Sequence, residues 1–215
     1  MAGHAVEMVA NGRPSIDGIF TDNVFWKPRM DADWNRDGTR DSQNDPAVQK
    51  YYREGNAAYL NHLKRLMPSK MQIGNVADWG KTEATITEYD QLLPGGVMEN
   101  LIGKSHSVET YLGWQALMGR YRKTMAAFAE PKLGMFSQTG SRTDYQGFRY
   151  GFATALLGDG YYAYHDAAKG FHDVTWFDEF DVELGQATSA PPTAGWQKGV
   201  YRRSEEHTSE LQSPI

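Results

Sequence analysis

The sequence predicts an α/β protein with a parallel sheet, either a (β/α)8 barrel or a doubly wound sheet. Short apolar runs alternate with helical patterns along the chain, the signature of βαβ units. Each candidate strand ends on polar residues, and in a barrel those ends converge on one face, where active sites sit. A doubly wound sheet would also gather polar groups at one crevice, but it usually carries a Gly-rich phosphate turn. No G-x-G-x-x-G occurs here. The run from Met98 to Ser105 ends like a phosphate loop in Gly103-Lys104-Ser105, yet Met98 stands where the first glycine must be.

The elements follow in order. Ser15 to Asp22 reads as a buried strand ending on a carboxylate. A polar loop leads to a helix that Asp45 can cap and Pro46 can open, with Val48, Tyr52, Tyr59, Leu63 and Leu66 at helical spacing until Pro68. Met71 to Val76 is the second strand, a short helix is expected within Glu83 to Leu92, and Gly95 to Asn100 is the third strand. Ser107 caps a long helix whose Tyr111, Trp114, Met118, Tyr121, Met125 and Phe128 form one core stripe, stopped by Pro131. Lys132 to Gln138 is the fourth strand. Thr143 caps the next helix, with Tyr145, Phe148, Phe152 and Leu156 inward and Gly158 as its stop. Asp159 to Tyr164 is the fifth strand, followed by His165 and Asp166.

Composition narrows the function classes. The chain of 215 residues carries a net charge of −5, which gives no basic field for nucleic acid. No apolar stretch reaches the roughly 18 residues that cross a bilayer. Cysteine is absent, so disulfides, thiolate metal sites and cysteine nucleophiles are excluded. The histidines show neither H-x-H nor H-E-x-x-H, which disfavours a zinc hydrolase, and G-x-S-x-G is missing. Six Trp and twelve Tyr suit a core and equally suit stacking on sugar rings.

Asp22 and Glu99 are the sharpest pair. A carboxylate at the end of a buried strand gains little from packing. Glycoside hydrolysis needs two carboxyl groups flanking one bond: one protonates the leaving oxygen, and the other attacks the anomeric carbon or activates water. The competing reading is that each acid caps its own loop. Asn23, Asn75, Asp78, Asn100 and Gln138 stand at the other strand ends as candidates to bond sugar hydroxyls, with Trp34 and Trp79 as stacking floors. Trp26, Tyr162, Tyr164 and Trp176 also fall on strand ends or loops. The stretch Asp31 to Asp41 resembles a calcium loop, with Asp33, Asn35, Asp37 and Asp41 as oxygen ligands and Gly38 at the turn. Asn44 stands where a bidentate Glu would complete an EF-hand, so the alternative is a solvated polar loop. Any Ca²⁺ there would be structural, and no cofactor is required. The acids of Trp176 to Gly185 either close over substrate or belong to a docked surface loop.

The runs DGIFTDNVFW, DADWNRDG, MQIGNVADW, GGVMEN, RYGFATALLGDGYY and WFDEFDVELG together resemble the glycoside hydrolases called hypothetical glycosyl hydrolase family fifteen, from about Ser15 to Arg203. The resemblance implies a TIM barrel distantly similar to the α-galactosidase superfamily, whose carboxylates follow the fourth and sixth strands. With Ile16 to Asp22 as the fourth strand, Asp22 falls on the nucleophile position and Glu99 on the acid/base position, where that superfamily usually has Asp. The chain then supplies strands four to eight: residues 1–185 are the C-terminal part of the barrel domain, and 186–202 begin a β-rich tail. Residues 203–215 resemble the conceptual translation of a common sequencing adapter, as expected of a metagenomic fragment. Met1 to Asn11 reads as the end of a helix, so the gene reads as cut at both ends; a secreted or periplasmic location is compatible with the sequence. The expected activity is hydrolysis of O-glycosidic bonds in an oligo- or polysaccharide, with a carbohydrate as partner. The alternative is a carbohydrate-binding protein on a degenerate barrel.

Overall fold

A computed structural model describes residues 7, 9, 15–83, 86–103, 107–192, 201–204 and 211–213. Ala5, Val6 and Met8 of the expected N-terminal helix end lie outside the described residues, as do Lys104 and Ser105. Strands β1 (Gly18–Thr21), β2 (Met71–Asn75), β3 (Gly95–Glu99), β4 (Leu133–Gly140) and β5 (Tyr161–Asp166) form a sheet in sequence order. The pairs β1–β2, β2–β3 and β4–β5 are parallel, with Phe20 opposite Ile73 in the first and Gln138 opposite Tyr164 in the last. Contacts divide the chain into two compact units, residues Met1–Val97 with Ala126–Leu133, and residues Met98–Met125 with Gly134–Ile215.

In the first unit, helix α1 (Pro46–Leu66) forms where the sequence predicts it. The Asp45 carboxylate accepts the Ala47 N–H at 2.8 Å, Pro46 occupies the first turn, and Lys64 and Arg65 face the carbonyl end. Its buried Leu63 joins Val9 and Met67, with Ile16, Ile19 and Tyr59 packed against them. Ile19 therefore faces this apolar cluster, and its neighbour Phe20 is 49% exposed, as the two-residue period of a strand requires. The helix expected within 83–92 is reduced to one 3₁₀ turn, Thr87–Tyr89. Long-range bonds hold the chain otherwise: the Tyr89 hydroxyl donates to the Phe25 carbonyl, and the Gln91 amide donates to the carbonyls of Ala126 and Phe128.

In the second unit, Ser107 caps as expected, its hydroxyl accepting the Thr110 N–H at 3.0 Å. The expected long helix is broken at Gly113, whose φ of 83° separates α2 (Val108–Leu112) from α3 (Trp114–Ala127). The break turns Tyr111 out of the stripe, and it is 67% exposed, while Trp114, Met118, Tyr121 and Met125 stay buried. Helix α4 (Tyr145–Leu156) is capped by Asp144 rather than Thr143, because the carboxylate reaches the Gly147 N–H at 3.0 Å. Tyr145 consequently lies at the exposed start of the helix, and Phe148 is the buried ring. A Cβ on Gly151 would strike Gln138 Oε1 and the Tyr162 hydroxyl, so a missing side chain lets α4 lie close on the sheet. The turn before β5 runs two residues longer than expected: Asp159 adopts φ 64°, and the Gly160 N–H bonds the Ala155 carbonyl. His165 and Asp166 are therefore inside the strand. Strands β6 (Tyr201–Arg203) and β7 (Leu211–Ser213) pair antiparallel.

Candidate functional site

Asp22 stands in the turn directly after β1, exposed to solvent. Its carboxylate accepts the Asn23 N–H at 2.9 Å and the Asn23 side-chain amide at 3.0 Å. Asn23 adopts φ 58°, a conformation asparagine tolerates better than most residues. Its carbonyl accepts the Tyr52 hydroxyl at 3.3 Å, and the Tyr52 ring meets Trp34 edge-on at 5.7 Å. Trp34 is 37% exposed, with its indole N–H bonded to the Met30 carbonyl. The fold thus links Asp22, Asn23 and Trp34 through Tyr52, a residue whose helical spacing marked it only as core.

The residues after β2 are turned inward. Asn75 is buried, and its Oδ1 accepts the Ala77 N–H at 3.1 Å. Trp79, expected as a stacking floor, is a core side chain: 4% exposed, stacked on Tyr89 at 5.1 Å, with its indole donating to the Val24 carbonyl at 2.7 Å. Asp78 is 9% exposed, and its Oδ1 accepts the Trp26 N–H at 3.2 Å. Burial pushes its carboxyl up to about 7, against the downward pull of the Trp26 N–H, Arg29 and Lys81. Sequence placed Asp78 at a strand end but held no signal for this burial.

The Asp31 to Asp41 loop is closed by its own amides. Asp33 accepts the N–H groups of Asp37 and Gly38, and Asp41 accepts the Trp34 N–H at 2.9 Å and the Asn35 N–H. Asn35 bonds Asp37 through both its amide atoms, and Asp37 accepts the Thr39 N–H; that last bond, with Asn35, holds the Asp37 carboxyl below its usual range. Among the described residues, no group of three or more His, Cys, Asp or Glu side chains is placed to hold a metal ion. The four expected calcium ligands are acceptors and donors within the loop itself.

In the second unit, Glu99 is the last residue of β3 and is half-buried. Asn100 follows at φ 57°, exposed, its carbonyl accepting the Val108 N–H at the start of α2. Gln138 is buried and faces α4: its Oε1 accepts the Tyr162 hydroxyl at 2.8 Å, and its nitrogen donates to the Gly147 carbonyl. On the opposite face of β4, Ser137 meets His165 Nε2 at 3.1 Å, a pair that sequence spacing could not reveal. A cavity of about 450 Å³ runs beside β5, bordered by Tyr164, His165, His172, Asp173, Trp176 and Phe180. The acidic stretch after β5 is docked within this unit. Phe177 stacks on Phe148 at 3.8 Å, Asp181 accepts the Trp176 indole N–H, and Glu179 pairs with Arg149. Of the other ring candidates, Tyr164 is buried, Tyr162 and Trp26 are half-buried, and Trp176 is exposed.

Fold and strand ends define the class first: an α/β protein whose parallel strands deliver carboxylates and amides at their carboxyl ends. A family model described as hypothetical glycosyl hydrolase family 15 matches residues 2–209. The chain belongs to hypothetical glycosyl hydrolase family 15. No curated protein matches it. Membership makes it a glycosyl hydrolase at the level of the family name, with a carbohydrate as the class of substrate. Among the described residues, no helix is long and apolar enough to cross a membrane.

Proposed function

We propose that the protein hydrolyses O-glycosidic bonds of an oligo- or polysaccharide by a two-carboxylate mechanism on strands four to eight of a (β/α)8 barrel. Asp22 is the nucleophile, or the base if the reaction inverts, and Glu99 is the general acid. Glu99 protonates the leaving oxygen as the bond to the anomeric carbon breaks. Asp22 either attacks that carbon, forming a glycosyl ester that water then cleaves, or takes a proton from the attacking water. One observation carries the reading: Asp22 directly follows β1 and Glu99 ends β3, both acids retain solvent access, and neither makes an ion pair among the described residues. Asn23 and Asn100, exposed beside the two acids, bond sugar hydroxyls, and Trp34 offers a ring face. Asn75, Asp78 and Trp79 are buried and hold the backbone of the first unit, and Gln138 is buried on Tyr162 and Gly147 in the second.

The test is turnover of the full chain and its Asp22→Asn and Glu99→Gln variants on 4-nitrophenyl α- and β-glycosides and on soluble polysaccharides. Each variant should lose about 100- to 10,000-fold in kcat with sugar binding retained. Unchanged turnover of Asp22→Asn on any substrate, or of Glu99→Gln on the polysaccharides, whose leaving oxygen needs a proton, overturns the role of that acid. Saturable sugar binding without release of reducing ends, in the unaltered chain, would make it a binding protein instead. The anomer of the first product decides between retention and inversion.

A further inference from the structure

Three consecutive residues that follow the Asp22–Asn23 turn are tied down almost atom by atom. The Val24 N–H donates to the Asn75 carbonyl at 3.0 Å, and the Val24 carbonyl accepts the Trp79 indole at 2.7 Å. The Phe25 carbonyl accepts the Tyr89 hydroxyl at 2.8 Å. The Trp26 N–H donates to Asp78 Oδ1 at 3.2 Å, and the Trp26 carbonyl accepts Arg53 at 3.1 Å. Arg53 is itself held by Glu88 through two hydrogen bonds of 2.8 and 3.0 Å. Most surface loops satisfy their backbone with water. Here four side chains from α1, the segment that follows β2 and the Thr87–Tyr89 turn do so, and three of them are neutral donors or a cation. The fourth is a carboxyl placed where burial opposes its charge, with no ion pair among the described residues.

We propose that Asp78 is the positioning residue of the site: its carboxyl, set beneath the loop on the Trp26 N–H, fixes the backbone of Val24–Trp26 and through it the direction of the Asp22 carboxylate. The inference rests on the reading of Asp22 as catalytic. Asp78 itself lies under the loop and touches no reacting atom in this scheme. The groups facing it are Arg29, Lys81, and the hydroxyls of Tyr52 and Tyr89. With the carboxyl pushed up to about 7, Asp78 holds its proton at mildly acidic pH and the bond to Trp26 is made by a neutral acid. The sign follows: the folded chain binds a proton that the unfolded chain releases near its ordinary value of 3.8, so this contribution to stability is complete below that value. It declines as pH rises toward 7 and levels off above.

The experiment compares the full chain with Asp78→Asn, which can still accept the Trp26 N–H, and Asp78→Ala, which cannot. Amide hydrogen exchange of residues 24–26 is followed with kcat and KM on the 4-nitrophenyl glycosides. Asp78→Ala should speed exchange at Trp26 at least tenfold and lower kcat about 10- to 100-fold with KM within about twofold, the effect of a displaced reacting group. Asp78→Asn should keep exchange and most of kcat, and should abolish the decline in stability between about pH 4 and 7. Unchanged exchange or unchanged kcat in Asp78→Ala overturns the proposal. So does an Asp78→Asn protein that loses Trp26 protection, a result that decides the matter even if Asp78→Ala fails to fold. Full activity in Asp22→Asn would remove the catalytic reading while leaving the exchange result intact, so the two failures are distinguishable.

Discussion

The two units hold their post-strand segments by different forces. After β1, the loop Val24–Trp26 is held by directed hydrogen bonds from Trp79, Tyr89, Asp78 and Arg53 to its backbone. After β5, the segment around Phe177 and Phe180 is held by rings. Phe148 lies against Phe152, Tyr162, Tyr164, Phe177 and Phe180, with centroids between 3.8 and 5.9 Å away. Ring packing contributes more free energy per residue but tolerates small rotations. Hydrogen bonds contribute little net energy each, yet they fix individual atoms. A loop that aims a carboxylate needs the second kind of hold, and a segment that closes a core needs the first.

The largest expected effect breaks the apolar side of that contrast. Phe148→Ala should destabilise the second unit by about 3–5 kcal/mol, measured by urea unfolding, because it removes a fully buried ring shared by five others. A cost under 1 kcal/mol would mean that the segment after β5 is held by something other than this cluster. Tyr89→Phe comes next, at about 1–2 kcal/mol: the ring still stacks on Trp79, but the hydroxyl's bond to the Phe25 carbonyl and the one it accepts from the Asn56 amide are lost, leaving a buried carbonyl unsatisfied. Its exchange signature should be confined to residues 24–26, whereas that of Phe148→Ala should spread through α4 and β5. Tyr89→Phe equalling Phe148→Ala in free energy would mean that the two segments are held by forces of equal strength. The smallest effect belongs to the exposed pair Arg149 and Glu179, where Arg149→Met should cost about 0–1 kcal/mol and less still at high salt.

Acid and base should also separate the carboxyls of the first unit. Glu88 is held below its ordinary value by its hydrogen bonds to Arg53, so its contribution is present above about that value and is lost as pH falls through the lowered one. Asp78 runs the other way. Thermal unfolding from pH 3 to 8 should therefore show Glu88→Gln removing an acid-side loss and Asp78→Asn removing a decline on the neutral side.

Much of the architecture was legible before any coordinates. Asp45 with Pro46, and Ser107, act through groups within three residues, so their caps form where local sequence predicts them. The errors have a common cause. Gly113 breaks a helix that looked continuous, Tyr89 is drawn into a buried bond instead of a helix, and Asp159 adds to the turn before β5. Each was decided by a backbone freedom or a distant partner that periodicity does not record. The candidate site divided in the same way. Asp22, Asn23, Glu99 and Asn100 are strand-end residues that keep some access to solvent, while Trp79 and Gln138 bond across 55 and 24 residues into the interior.

The order of strands and helices, the caps, and the presence of an acid after the first and third strands were written in the chain itself, because apolar period and capping chemistry act over a few residues. Which polar side chains face water and which support the backbone was settled only by tertiary packing. Asp78 and Asp22 are the same residue type in similar strand-end positions. One is buried on an amide 52 residues away and the other is open, and no local rule distinguishes them.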